Sequence, residues 1–348
     1  MRALVLTAPG RLEPRDVPDP VPGDDEVLIR VGAAGICGSD VHGMDGSSGR
    51  RVPPLVMGHE AAGVVDSIGS SVAGWRPGDT VTFDSTVWCG ECAFCREGRT
   101  NLCDRRTVVG VATPAFRRDG AFAELVALPA RIVHRVPEGV PMSSAAFAEP
   151  LAVAAHAVVR AGLGANADGP PPASALVVGA GTIGLLLVQL LRFAACPRVV
   201  VVDLSPTRLE RGAAMGATDT VQGGDGVERR LADLIGDRGF DVAFEAVGID
   251  PAVGLAIAAA RKGGTVVLVG NVVPAVTLPL QDVVSRELTL VGTAASSGEF
   301  PRAIELIAGG AVDVGALLSE VVPLTDGAAA FARLREPGTE LLKVMLEP

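Results

Sequence analysis

Tyrosine is absent from this 348-residue chain, and aromatic residues make up only 3% of it, ten Phe and two Trp. The cores must therefore be built mainly from Ala, Val, Leu and Ile, and few aromatics are left to wall a ligand pocket. Long hydrophobic runs are missing as well. Ala3-Leu4-Val5-Leu6 is too short for the core of a secretion signal and reads as a first strand. The longest apolar region, residues 175–191, is interrupted by Gly179, Gly181, Gly184, Thr182 and Gln189, too often for a membrane span. Positive charge is in deficit: the net charge is −10 and the pI near 5.0, which argues against a nucleic-acid or anionic-membrane surface. A cytoplasmic protein with no nucleic-acid or membrane partner is expected. Hydrophobic residues reach 48%, so the chain is globular, and its length suggests two domains.

The composition divides the chain near residue 150. Before it, short β-prone runs (3–6, 26–31, 61–68, 80–83, 122–128 and 132–136) alternate with Pro/Gly turns such as Trp75-Arg76-Pro77-Gly78-Asp79. That pattern predicts a barrel-like all-β domain. After it, residues 151–163 read as a helix and 164–172 as a Gly/Asn/Pro linker. Val-rich strands (175–178, 198–203, 241–244, 265–270, 288–292) then alternate with helices (182–194, 206–215, 251–260), which predicts a parallel sheet covered on both faces. A helix over 301–308 and a strand over 342–346 follow, the strand able to return to the first domain.

Three motifs carry chemistry. Cys37 and His59, with a glutamate, offer thiolate, imidazole and carboxylate, the protein donors of an open zinc site. Cys89, Cys92, Cys95 and Cys103 follow C-x2-C-x2-C-x7-C; four thiolates close a tetrahedral shell, so a structural zinc or an iron–sulfur cluster is expected. Gly179-Ala180-Gly181-Thr182-Ile183-Gly184 fits G-x-G-x-x-G between an expected strand and an expected helix. Asp203 ends the next strand, where a carboxylate accepts from the adenosine ribose hydroxyls and repels a 2′-phosphate, predicting NAD over NADP.

These motifs, with Gly58-His59-Glu60-x-x-Gly63 and Glu149-Pro150-Leu151, make the whole chain resemble the zinc-containing medium-chain dehydrogenases, the alcohol dehydrogenase superfamily. The Cys37-Gly38-Ser39-Asp40-Val41-His42 form and the Glu149-Pro150 pair resemble the polyol branch, although some polyol dehydrogenases lack the four-cysteine lobe. The resemblance implies an α/β fold: a GroES-like β-barrel catalytic domain (1–150, structural zinc lobe about 85–110), a Rossmann doubly wound sheet (151–295) and a C-terminal segment (296–348) returning to the first domain. It implies NAD and two zinc ions, one catalytic and one structural. Cys37 and His59 match zinc ligands, and Glu60 and Glu149 compete for the third position. Ser39 matches the hydroxyl that takes the substrate proton, and His42 the next relay member. Lys343 matches a residue at the pyrophosphate and Arg208 one at the adenine, each with a solvated surface position as the alternative. Val247, Val269 and Gly270 match further cofactor contacts.

The implied reaction is oxidation of a secondary alcohol by a homodimer or homotetramer, in a cleft between the domains. A pocket of few aromatics and a glycine at 38 favour a polyol, sugar alcohol or cyclitol. Amino alcohols remain open if Asp45 or Glu91 meets an ammonium, and sugar phosphates if Arg50 and Arg51 bind an anion, the alternative for those two being a solvated charge pair. A catalytically inactive sensor would be expected to have lost Cys37, His59 or Ser39, and all three are present. Cys196, His134 and His156 match no functional position.

Overall fold

Residues 1–163, 171–236 and 238–348 are described in a computed structural model of the chain; most of the expected linker, residues 164–170, lies outside them. One unit comprises Met1–Pro150, Ser296–Gly310 and Val314–Pro348. Its axis is the Glu26–Gly35 strand, whose apolar run Val27-Leu28-Ile29 is buried. This strand pairs antiparallel with Glu60–Ile68, with Leu125–Pro129 and with Lys343–Glu347. The full sheet has seven strands. Thr80–Phe83 and Val133–Arg135 extend it on one side, and Leu318–Pro323 closes it on the other. A second sheet joins Arg11–Asp16, Arg2–Ala8 and Leu55–Val56. With so few aromatics, the core is aliphatic around a small number of Phe anchors. Phe122 and Phe331 meet edge to face with ring centres 5.8 Å apart.

The second unit comprises Leu151–Ala295 with Ala311–Asp313. Its six strands are all parallel, in the order Asp219–Gln222, Arg198–Asp203, Ser174–Val178, Phe240–Glu245, Ala260–Leu268, Thr289–Gly292. Numbered along the chain this is 3-2-1-4-5-6, the order of dinucleotide-binding sheets. Four successive valines of Arg198–Asp203 are buried, as expected for a strand covered on both faces. The helical run Met142–Arg160 is long and apolar enough to cross a membrane by composition alone, but 72% of it is buried against the rest of the chain.

Several elements escape the sequence reading. Asp219–Gln222 is four residues with one buried, so no apolar run announces it. The Val227–Ile235 helix buries only Val227 and Leu231. Leu318–Pro323 and the Gly327–Arg335 helix fall in the final fifty residues, where periodicity is weak.

The turn from Ser174–Val178 into the Thr182–Phe193 helix is built by glycine. Gly179 has φ +101°, and a Cβ on Gly184 would lie 1.8 Å from the Gly179 carbonyl oxygen, whereas one on Gly181 would meet nothing within 4 Å. Gly184→Ala should therefore cost about 1–3 kcal/mol in denaturant unfolding. Gly181→Ala should cost less than about 1 kcal/mol. Equal losses would contradict the assigned turn geometry.

Candidate active site and cofactor loop

Cys37 caps the short Gly38–Gly43 helix, directly after the axial strand. The Glu60–Ile68 strand pairs Glu60 with Gly35, two residues ahead of Cys37. That register brings Cys37, His59 and Glu60 together, with their ligand atoms all within 4.8 Å of one another. A Cβ on Gly35 would lie 2.6 Å from Glu60 Oε2, so only glycine leaves the carboxylate its room.

Two buried ion pairs hold this set. Lys343, 2% exposed, donates from Nζ to Glu60 Oε2 at 2.5 Å and to the Ile36 carbonyl at 3.1 Å. Burial alone would lower its pKa, but Glu60 and Cys37 outweigh that and keep the ammonium charged. The solvated alternative for Lys343 fails, and its ammonium is engaged with Glu60 rather than standing free for a phosphate. Asp40 is fully buried and receives Arg51 Nη2 at 2.7 Å and Nε at 3.2 Å. Burial alone would raise the Asp40 pKa; His59 and Arg51 hold it well below the ordinary range. Arg51 was expected as an anion ligand or a solvated charge, and it is neither, being 4% exposed.

His59 Nδ1 lies 3.5 Å from Asp40 Oδ1 and makes no hydrogen bond, an orphaned buried nitrogen. Burial lowers the His59 pKa, but Asp40 and Cys37 together raise it well above its usual value. A thiolate, an imidazole and a carboxylate this close, with an outer carboxylate beside the imidazole, fit a divalent zinc. Glu149 stands outside the close trio. It lies in the first turn of the Ala148–Arg160 helix and accepts from Ser85 Oγ at 2.8 Å. Burial, together with the Glu60 and Asp84 carboxylates, pushes its pKa up to about 7 against the pull of His59. Ser39 and His42 are exposed, three residues apart on one short helix and so on one face of it.

The four cysteines also converge, all ligand atoms within 4.8 Å and Cys89 Sγ 3.9 Å from Cys95 Sγ. A tetrahedron with metal–sulfur bonds of about 2.3 Å has edges of about 3.8 Å, so one ion fits where a multi-iron cluster would spread the sulfurs further. Backbone N–H groups, that of Glu91 first, draw the Cys89 pKa down to about 6, while burial pushes Cys95 up to about 12. Four adjacent thiolates need a cation to ionise together.

In the parallel-sheet unit, Asp203 accepts from Ala180 N at 2.7 Å and from Ser205 N at 2.9 Å, so its carboxylate is fixed against the glycine turn. Thr182 and Ile183 open the following helix, half-buried, with their backbone N–H groups at its positive end. Glu245 clamps the neighbouring turns. Its Oε1 accepts from Val247 N and Gly248 N, and its carbonyl from Val269 N and Gly270 N. Arg208 is half-buried in the first turn of the Pro206–Ala214 helix. Asp40, Ser85 and Glu245 have no assigned role in the sequence reading, and Arg51 has only that of an anion ligand. Only Asp40 had a signal, an acid three residues into a helix that begins at a cysteine.

Two family models and curated relatives match the chain. The alcohol dehydrogenase GroES-like domain family matches residues 23–138, and the zinc-binding dehydrogenase family matches residues 182–309. The chain is 34% identical to sorbitol dehydrogenase of Bacillus subtilis (strain 168), covering 100% of this chain and 97% of that one. It is 34% identical to D-xylulose reductase A of Aspergillus oryzae, over 93% of this chain and 90% of the relative. A zinc-binding dehydrogenase of Sinorhizobium meliloti 1021, solved with NADP, superposes with a TM-score of 0.90 at 32% identity, covering 100% of this chain and 99% of that one.

The Lys343–Glu60 pair gives a direct test. Lys343→Met leaves a buried carboxylate without its partner and should lose about 3–5 kcal/mol in denaturant unfolding. Adding Glu60→Gln should recover much of that loss. If the single variant is as stable as wild type, the pair does not anchor the C-terminal strand at the site.

Proposed function

The chain belongs to the zinc-binding, medium-chain dehydrogenases, in their polyol branch, and from that premise we propose that it oxidises a secondary hydroxyl of a polyol, sugar alcohol or cyclitol to a ketone with NAD. The observation that carries the reading is the Cys37, His59 and Glu60 set, within 4.8 Å, with exposed Ser39 two residues from Cys37. When bound, zinc lowers the pKa of the substrate hydroxyl and NAD takes up the hydride.

The chain's own residues divide the remaining work. Cys37 and His59 hold the catalytic ion, and Glu60 or Glu149 completes the set. Lys343 draws Glu60 to one side, and Ser85 does the same for Glu149. Ser39 accepts the proton leaving the substrate hydroxyl and passes it to His42, which is open to solvent. Gly181 leaves room for a pyrophosphate at the start of the Thr182–Phe193 helix. Val247, Val269 and Gly270 make further cofactor contacts, and Arg208 lies beside the adenine. Asp203 accepts from the ribose hydroxyls and repels a 2′-phosphate, which favours NAD here although the S. meliloti protein carries NADP. Cys89, Cys92, Cys95 and Cys103 hold a second, structural zinc.

Part of the support for the competing substrates falls away, although Arg50 stays exposed. Arg51 is buried against Asp40, which removes it as a ligand for a sugar phosphate. Glu91 pairs with Arg105, and exposed Asp45 accepts from Ser47 N, so neither is poised for an ammonium group. Gly38 leaves open space where a side chain would stand. The same reading carries a cytoplasmic homodimer or homotetramer.

A substrate panel scored by NADH formation tests the assignment. Vicinal diols should give higher kcat/KM than mono-alcohols of equal carbon number; simple primary alcohols performing equally well would remove the polyol assignment. Asp203→Ala should weaken NAD binding and relieve the discrimination against NADP. A wild-type protein already preferring NADP would contradict the role given to that carboxylate.

A further inference from the structure

Arg51 is a cation placed where a solvated loop residue was expected, and its surroundings are built for it. Its backbone is pinned to the Val111–Ala112 strand: Val52 N donates to the Ala112 carbonyl, and Ala112 N to that of Arg50, both at 3.2 Å. Gly43 leaves space for its stem, since a Cβ there would lie 3.2 Å from Arg51 Cγ. The guanidinium points inward. Nε and Nη2 both grip Asp40 Oδ1, Nη1 donates to the Arg50 carbonyl, and Nη2 reaches Ser39 Oγ at 3.5 Å.

The gripped carboxylate serves two zinc-ligand positions at once. Asp40 Oδ1 stands 3.5 Å from His59 Nδ1, and Asp40 Oδ2 accepts from the Cys37 backbone N–H at 3.4 Å. A carboxylate beside one ring nitrogen of a histidine fixes the tautomer and turns the other nitrogen to the metal. We propose that Arg51 is a positioning residue of the catalytic site: its two nitrogens fix Oδ1 of Asp40 while the Cys37 N–H holds Oδ2, and the carboxylate so held orients His59 and Cys37 for zinc, while Nη2 lies against the Ser39 hydroxyl. In this role Arg51 acts through Asp40. A lysine in its place would present one ammonium rather than a fork, and the carboxylate would be free to swing.

The inference rests on the reading of Cys37, His59 and Glu60 as a zinc site, and the test separates the two. Zn²⁺ affinity is measured by chelator competition on wild type, Arg51→Met and Arg51→Lys, with Co²⁺ spectra to tell the Cys37 site from the four-cysteine site. Arg51→Met should weaken the Cys37 site by about 10–100-fold, the range found when a group behind a metal ligand is removed. The four-cysteine site should be unchanged. Arg51→Lys should fall between Met and wild type. A general structural role would weaken both sites or neither. Wild-type affinity at the Cys37 site in Arg51→Met overturns the inference. Should that variant not fold, Arg51→Lys decides alone, and wild-type affinity in it overturns the role of the fork. A wild-type protein with no second Zn²⁺ or Co²⁺ site overturns the zinc reading itself.

Discussion

A carboxylate with no access to water sets the terms for the first unit. Asp40 is completely buried, and a buried charge is tolerated only when its partners replace what solvent gave it. Arg51 supplies two nitrogens, and the Cys37 backbone supplies a third donor. Such an arrangement adds little net stability, because removing both charges from water offsets most of their attraction. Its value is directional. The carboxylate belongs to the short helix that Cys37 caps and faces the segment that carries His59, so one fixed group sets the two segments against each other.

Lys343 and Glu60 repeat the logic on the other side of the site. The ammonium comes from a strand that pairs Met345 with Gly35, and Gly35 pairs in turn with Glu60. Three adjacent strands thus bring a cation and an anion into contact across 283 residues of sequence. Register enforces this geometry: a slip of one residue would turn Lys343 to the opposite face of its strand. The charged pair and the hydrogen-bond ladder each specify the other.

What could be read from the sequence follows from how local the information is. The glycine turn at 179–184 needs only a strand before it and a helix after it, and both are present within about twenty residues. The four cysteines lie within fifteen residues, so their convergence required little of the fold. Cys37, His59 and Glu60 were legible because each sits in a recognisable pattern. Arg51 was not: nothing in Gly-Arg-Arg-Val-Pro says that one arginine turns inward while its neighbour stays in solvent. Lys343 was legible as a basic residue but not as the partner of Glu60, because that contact depends on strand order. Short strands such as Asp219–Gln222 were missed for the same reason, their pairing being supplied by neighbours and not by their own residues.

The long sequence interval between Glu60 and Lys343 also has a consequence in time. A ribosome adding about 5–20 residues per second takes roughly 15–60 s to pass from one to the other. During that interval Cys37, His59 and Glu60 have been synthesised, while the ammonium that neutralises Glu60 does not yet exist. The first unit therefore cannot complete this ion pair, or the sheet that buries it, until the C-terminal strand has been made, so its folding ends only after the whole parallel-sheet unit has been synthesised.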